Sequence, residues 1–198
     1  MISINKLMGF LELNKLGIPT VPLKEFHPDV NLTYDVLWTI RVAVYEGDDL
    51  NLPRAVGVNA REALKKGREL YNTYKDKGMI FYYPFFIAEK SGTLEISNSR
   101  IIIEAVQGDL WNLVTYGKVD ETIIISNEDK YYYKNKEFLT NEEILQIMKH
   151  IDLIKFKYRD LLVEGKSVLL EWSFAYNTNN ENIPFGNKYL VFYEIRSI

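Results

Sequence analysis

Cysteine is absent from this chain. Its absence excludes disulfides, thiolate metal sites and thiol catalysis together, and it fits a cytoplasmic protein. Histidine is almost as scarce, with only His27 and His150 present. The first falls in a predicted loop before Pro28 and the second inside a predicted helix. Neither has an orienting partner in view, so zinc chemistry and serine–histidine hydrolysis find no support. No apolar run reaches the roughly 18 residues a membrane helix needs. Lys6, Glu12 and Lys15 interrupt the N-terminal stretch and spoil a secretion-signal core. A basic excess is also missing: 24 Lys and Arg stand against 27 Asp and Glu, a net charge of −3. That balance argues against nucleic acid as the main partner, since a phosphate backbone asks for a basic surface. The glycine-rich phosphate loop, the dinucleotide fingerprint and the zinc-protease motif are missing too.

What is present is an ordinary globular balance: 198 residues, 47% hydrophobic and 26% charged. The 14 tyrosines and 10 phenylalanines point to large aromatic packing rather than disorder. A helix is expected over 3–16, capped by Ser3, with Ile4, Leu7, Met8 and Leu11 as its apolar stripe and Gly17 and Pro19 as its stop. Residues 35–45 read as a strand. Asn59 and Glu62 form a capping-box pattern for a helix reaching about residue 77. Residues 79–88 read as one buried strand, and 89–92 as a turn. Strands follow at 93–96, 101–106 and 122–125, with a hairpin across 127–130 into 131–133. Thr140 and Glu143 cap a long helix expected to run to about residue 163. The order suggests an α+β chain of two lobes, 1–77 and 78–198, with a mostly antiparallel sheet and flanking helices.

The last two predicted strands, around 169–173 and 190–196, carry the chemistry. A strand sends alternate side chains to one face. Glu171 therefore shares a face with Ser173 and Ala175, opposite Leu170, Trp172 and Phe174, while Glu194 and Arg196 point together. If the polar faces coincide, two carboxylates and a guanidinium converge. Carboxylates bind Mg²⁺, and Mg²⁺ with arginine suits a polyphosphate. The plainer alternative is a sheet with a solvated polar face. Arg41 has its own plain alternative, an ion pair with Asp48 or Asp49, and Lys6 could be one more solvated lysine on an amphipathic helix.

Read in order, several segments resemble the N-terminal nucleotide-binding half of the phosphoenolpyruvate synthase and pyruvate, phosphate dikinase family. These are Lys6 to Pro22, Leu37 to Ala43 followed by Pro53, Tyr83 to Gly92, Ile103 to Gly108 with Gly117, Leu169 to Trp172, and Glu194 to Ile198. The resemblance implies an ATP-grasp-type fold of two lobes with ATP held between them. It implies phosphate contacts from Lys6, Arg41 and Arg196, further nucleotide contacts from Tyr83 and Glu104, and Mg²⁺ held by Glu171 and Glu194. The pattern departs at Leu169, which replaces an acid, and at Glu194, which replaces a glutamine. The local carboxylate count stays at two, so either a Mg²⁺ site persists with shifted geometry or Glu194 simply pairs with Arg196 or Lys6. Tyr83 cannot offer a purine an amide, although its ring could stack. The family passes phosphoryl groups from ATP to a histidine on a separate domain, and no such domain is read here. The resemblance therefore implies a phosphotransferase acting with a separately encoded phosphohistidine or pyruvate-domain partner. The alternatives are a non-catalytic nucleotide-binding or interaction protein, and an ATP-grasp ligase.

Overall fold

In the computed structural model, residues 4, 6–47, 52–126 and 130–198 are described, with the backbone alone at 6 and 132–134. The expected Ser3 cap, Asp48, Asp49 and the turn at 127–129 lie outside them, as does the side chain of Lys6. Two antiparallel sheets organise the chain. The smaller has the order β1 (Lys24–Glu25), β4 (Gly78–Pro84), β2 (Trp38–Val44), β3 (Arg54–Val58). The larger runs β10 (Pro184–Ser197), β9 (Val168–Thr178), β5 (Phe86–Ile96), β6 (Arg100–Gln107), β7 (Glu121–Ser126), β8 (Lys130–Lys134).

Strand β2 is buried along its whole length because both of its faces are covered. Trp38, Ile40, Val42 and Val44 face helix α2 (Ala60–Tyr74), which turns Ala60, Ala63 and Leu70 toward them. Asn59 starts this helix by accepting the Glu62 N–H at 3.0 Å. The alternate residues Thr39, Arg41 and Ala43 face the other way. There α1 (Lys6–Leu13) packs Leu7 and Phe10 against Ala43 and Phe81. The larger sheet buries Leu94, Ile103, Leu170, Trp172, Phe192 and Ile195 against a helical layer. That layer is α4 (Asn141–Met148), α5 (Ile151–Lys157) and α6 (Arg159–Val163). No helix of the described residues is long and apolar enough to cross a membrane.

Several sequence expectations change in detail. The strand expected over 79–88 divides at Phe85, where the chain passes from one sheet to the other. The Phe85 N–H donates to Leu37 O at 2.8 Å, and its carbonyl accepts from Thr178 Oγ1 at 3.1 Å. The turn expected at 89–92 is instead the middle of β5, with a bulge between Ala88 and Lys90. Ser91 and Gly92 mark close packing there rather than a reversal. A side chain at Gly92 would run into Glu104 O and the Trp172 ring. The long helix breaks at His150 and Tyr158, yet its apolar stripe of Ile144, Ile147, Ile151, Ile154 and Leu161 stays continuous against the sheet. Its predicted capping box is present, with Thr140 and Glu143 each accepting the other's backbone N–H. β3 and a short helix, α3 (Trp111–Tyr116), were not read from sequence. Gly117 ends α3 in the left-handed region, φ 62°.

Candidate functional site

The site is a cleft of about 740 Å³ between the two sheets, roofed by α3. A volume of this size lies within the usual range for a small-molecule pocket, about 300–1,000 Å³. One end is charged. Arg41 comes from β2, Glu171 from β9, and Glu194 and Arg196 from β10. The rest of the lining is largely apolar and aromatic, with Phe85, Phe86, Val56, Val114 and Trp111.

Arg41 is the best-defined group. Its Nη2 donates to Glu194 Oε2 at 2.9 Å, with the two residues only 8% and 5% exposed. Its guanidinium carbon sits 5.1 Å from the centroid of the Phe10 ring, so helix α1 supports the cation from below. Burial alone would lower its pKa, but Tyr83, Glu194 and Glu171 together hold it above its ordinary value. Tyr83 reaches Arg41 because Thr39 pairs with Tyr83 across β2 and β4, one diagonal step from Arg41. Burial pushes the Tyr83 phenol upward against the pull of Arg41. At neutral pH it is therefore an uncharged acceptor for the guanidinium, and not a second negative charge.

Glu171 and Glu194 are direct cross-strand neighbours, an arrangement that depends on a bulge. Strict alternation would put Leu190, Phe192, Glu194 and Arg196 on one face. The register slips between Phe192 and Glu194. Leu190, Phe192 and Ile195 consequently stay in the core, while Tyr193, Glu194 and Arg196 all line the cleft. Tyr193 bonds Ser173, whose Oγ lies 2.8 Å from Ser91 Oγ. Burial and then Glu171 keep the Tyr193 phenol well above its usual value, hence neutral. The Nε of Arg196 is buried and has no hydrogen-bond partner among the described residues, although Arg196 itself lines the cleft.

Of the residues singled out from sequence, Arg41, Tyr83, Glu171, Glu194 and Arg196 meet in this cleft. Glu194 takes Arg41 as its partner. Glu104 does not line the cleft. It stands two strands from Glu171 on the same sheet, in the row Glu171, Thr93, Glu104, and accepts from Thr93 Oγ1 at 3.3 Å. Sequence reading missed Thr39, Arg54, Asp109, Trp111 and Tyr193. Thr39 was legible, being two residues before Arg41 on one strand. Arg54 and Trp111 come from β3 and α3, which were not read, and their side chains meet with the guanidinium 4.8 Å from the indole centroid.

A Mg²⁺ ion carried with a polyphosphate is compatible with these residues. Among the described residues no group of three acidic or histidine side chains could cage a metal unaided. Mg²⁺, however, commonly takes one or two carboxylates, keeps several waters and completes its shell with substrate phosphates. Two adjacent carboxylates in a cleft meet that requirement.

No protein-family model matches the chain, and no curated protein matches it in sequence. Solved structures do match. The D-alanine–D-alanine ligase of Helicobacter pylori aligns at TM-score 0.52 and 15% identity, over 98% of this chain and 50% of that one. An N5-carboxyaminoimidazole ribonucleotide synthetase in complex with ADP gives 0.53 and 9%, over 98% and 44%. The dinucleotide-forming acetyl-coenzyme A synthetase 1 of Candidatus Korarchaeum cryptofilum gives 0.51 and 9%, over 99% and 93%. The chain thus spans about half the length of the first two enzymes. The fold is α+β and of the ATP-grasp type, two antiparallel sheets with flanking helices.

Proposed function

We propose that the chain is an ATP-binding module of ligase type, with the nucleotide held in the cleft between the sheets. The observation that carries this reading is that Arg41, Arg196, Glu171 and Glu194 line one cleft together with Phe85, Phe86 and Trp111. A triphosphate needs cations at its oxygens, and a base needs a flat apolar wall. Arg41 and Arg196 would neutralise phosphate oxygens. Glu171 and Glu194 would hold Mg²⁺, whose bound contribution is to offset charge on the phosphates. The base would lie against Phe85, Phe86 or Tyr83. Lys6 remains a proposed phosphate contact from the sequence resemblance, and Glu104 a proposed nucleotide contact of the same origin.

The ATP-grasp ligases that the fold resembles favour this reading. The ordered sequence segments favour a second one, phosphoryl transfer to a histidine of a separate protein. The products separate them, because a ligase of this type releases ADP and phosphate, while the second route releases AMP and phosphate. The first experiment is thermal melting with and without Mg-ATP. A ligand at about a hundred times its dissociation constant adds about 2.7 kcal/mol. At this chain length that raises Tm by roughly 5–10 °C. Glu171→Gln should abolish the Mg²⁺-dependent part of the rise. Unchanged melting with every purine nucleotide, with or without Mg²⁺, would sink the proposal.

A further inference from the structure

Behind the smaller sheet, on the side away from the cleft, α2 carries Arg61, Lys65 and Arg68 along one stripe. With Leu64 and the ring of Tyr34 they line a groove of about 480 Å³. Three cations line it against one acid. Arg61 and Lys65 enter no ion pair among the described residues. Glu69, the acid in the groove, is taken by Lys66 at 3.4 Å. Arg68 is held in position by donating Nε to Pro28 O at 3.2 Å. The opposite wall is fixed as well. Trp38 Nε1 donates to Thr33 O at 3.0 Å, and Asn180 N to Asp35 O at 2.9 Å, on either side of the 66% exposed Tyr34. A preformed basic groove on a chain of net charge −3 is a local exception to the overall balance.

We propose that this groove docks an acidic segment of a partner protein. Its cations stand in a row spanning about 10 Å of helix axis rather than converging on a point, which suits a linear polyanion better than one phosphate. Along an extended peptide, carboxylates on alternate residues recur about every 6.6 Å. Arg61 and Lys65 are about 6 Å apart along the axis, a close match. Leu64 and Tyr34 add the apolar contact that a peptide uses, whereas a nucleic-acid backbone requires a broader basic surface.

A fluorescein-labelled deca-glutamate peptide tests this by anisotropy with the whole chain. Saturable binding is expected in low salt, weakening about tenfold or more as screening rises toward physiological ionic strength. The Arg61→Glu/Lys65→Glu pair should lose about tenfold or more, and Tyr34→Ala several-fold at unchanged charge. Reversing Lys149 and Arg159, which lie on the other lobe's helices, should leave binding within about twofold. All of these residues are exposed, and melting curves would verify that each variant is folded. Absence of binding in low salt overturns the proposal. So does equal loss in the Lys149/Arg159 control, or a single-stranded RNA that binds through Arg61 and Lys65 more tightly than the peptide.

Discussion

Glu194→Gln removes the carboxylate facing Arg41 while preserving shape and one acceptor. In the parent, a guanidinium that is 8% exposed meets a carboxylate that is 5% exposed at 2.9 Å. Burying both ions is costly, and the pair itself adds little net stability. Removing one partner is different, because it strands the other charge, at a typical cost of about 3–5 kcal/mol. Arg41 retains Tyr83, Glu171 and the Phe10 face, so the lower end applies, about 3 kcal/mol. For a chain of this length that lowers Tm by about 6–12 °C. The double variant Arg41→Met/Glu194→Leu replaces the pair with apolar groups of similar size and should recover most of the loss. Differential scanning calorimetry of the three proteins reads these shifts directly. If Glu194→Gln melts within about 2 °C of the parent, the guanidinium is not desolvated and the electrostatic picture of the cleft fails.

Other expectations concern the middle of β5 and the lining of the cleft. Lys90 is largely buried and bonds Glu143 at 2.8 Å, whereas Lys188 bonds the same carboxylate at 2.9 Å from a side chain one-third exposed. Lys90→Met should therefore cost about 3 kcal/mol, and Lys188→Met at most about 1 kcal/mol, as read from urea midpoints. Burial raises the Glu143 carboxyl, but Lys90, the Thr140 N–H and Lys188 outweigh it and hold it below its ordinary value. Its stabilisation is thus complete above a pH of about 4.3 and is lost as acid carries the solution down through the depressed value. An acid titration of Glu143→Gln should accordingly be flatter than the parent's in that window. Gly92→Ala would press a methyl group into Glu104 O and the Trp172 ring, and should leave little soluble folded protein. Of the three tryptophans, Trp111 alone lines the cleft and is 41% exposed, while Trp38 and Trp172 are buried. Nucleotide entry should change its emission, and Trp111→Phe should remove that change. A signal that persists in Trp111→Phe would place the ligand elsewhere.

Much of the architecture was legible in the residues, for reasons that differ between elements. The caps at Asn59 and Thr140 were readable because a side-chain acceptor three residues before a glutamate satisfies orphan N–H groups whatever the surroundings. The cleft face of β9 was readable because Glu171 and Ser173 alternate with Leu170, Trp172 and Phe174 without interruption. Ser91 and Gly92 misled, since a turn signal and a close-packing signal use the same small residues. Only tertiary contact, with Ser173 on one side and Trp172 on the other, tells them apart. β3 and α3 were missed because each is short, at five and six residues, and neither has a fully buried residue, so neither carries a clear apolar period.

The pairing of Glu194 with Arg41 was open to reasoning but not to reading. Charge alone allowed Glu194 to choose Arg196 or Lys6, and allowed Arg41 to choose Asp48 or Asp49. The contact between Glu194 and Arg41 rests on the bulge at Phe192–Glu194, which no local pattern announces. Its cause is a conflict between two demands on one strand. Leu190 and Phe192 belong to the core on even positions, and Ile195 belongs there on an odd one. An unbroken β10 could not satisfy all three. One extra residue at Tyr193 reconciles them, and the same slip turns Glu194 and Arg196 into the cleft beside Glu171. Core packing and site geometry are therefore fixed by one feature. Had β10 kept strict register from Leu190 onward, burying Ile195 would have cost the core contacts of Leu190 and Phe192, and keeping those contacts would have turned Glu194 and Arg196 away from the cleft.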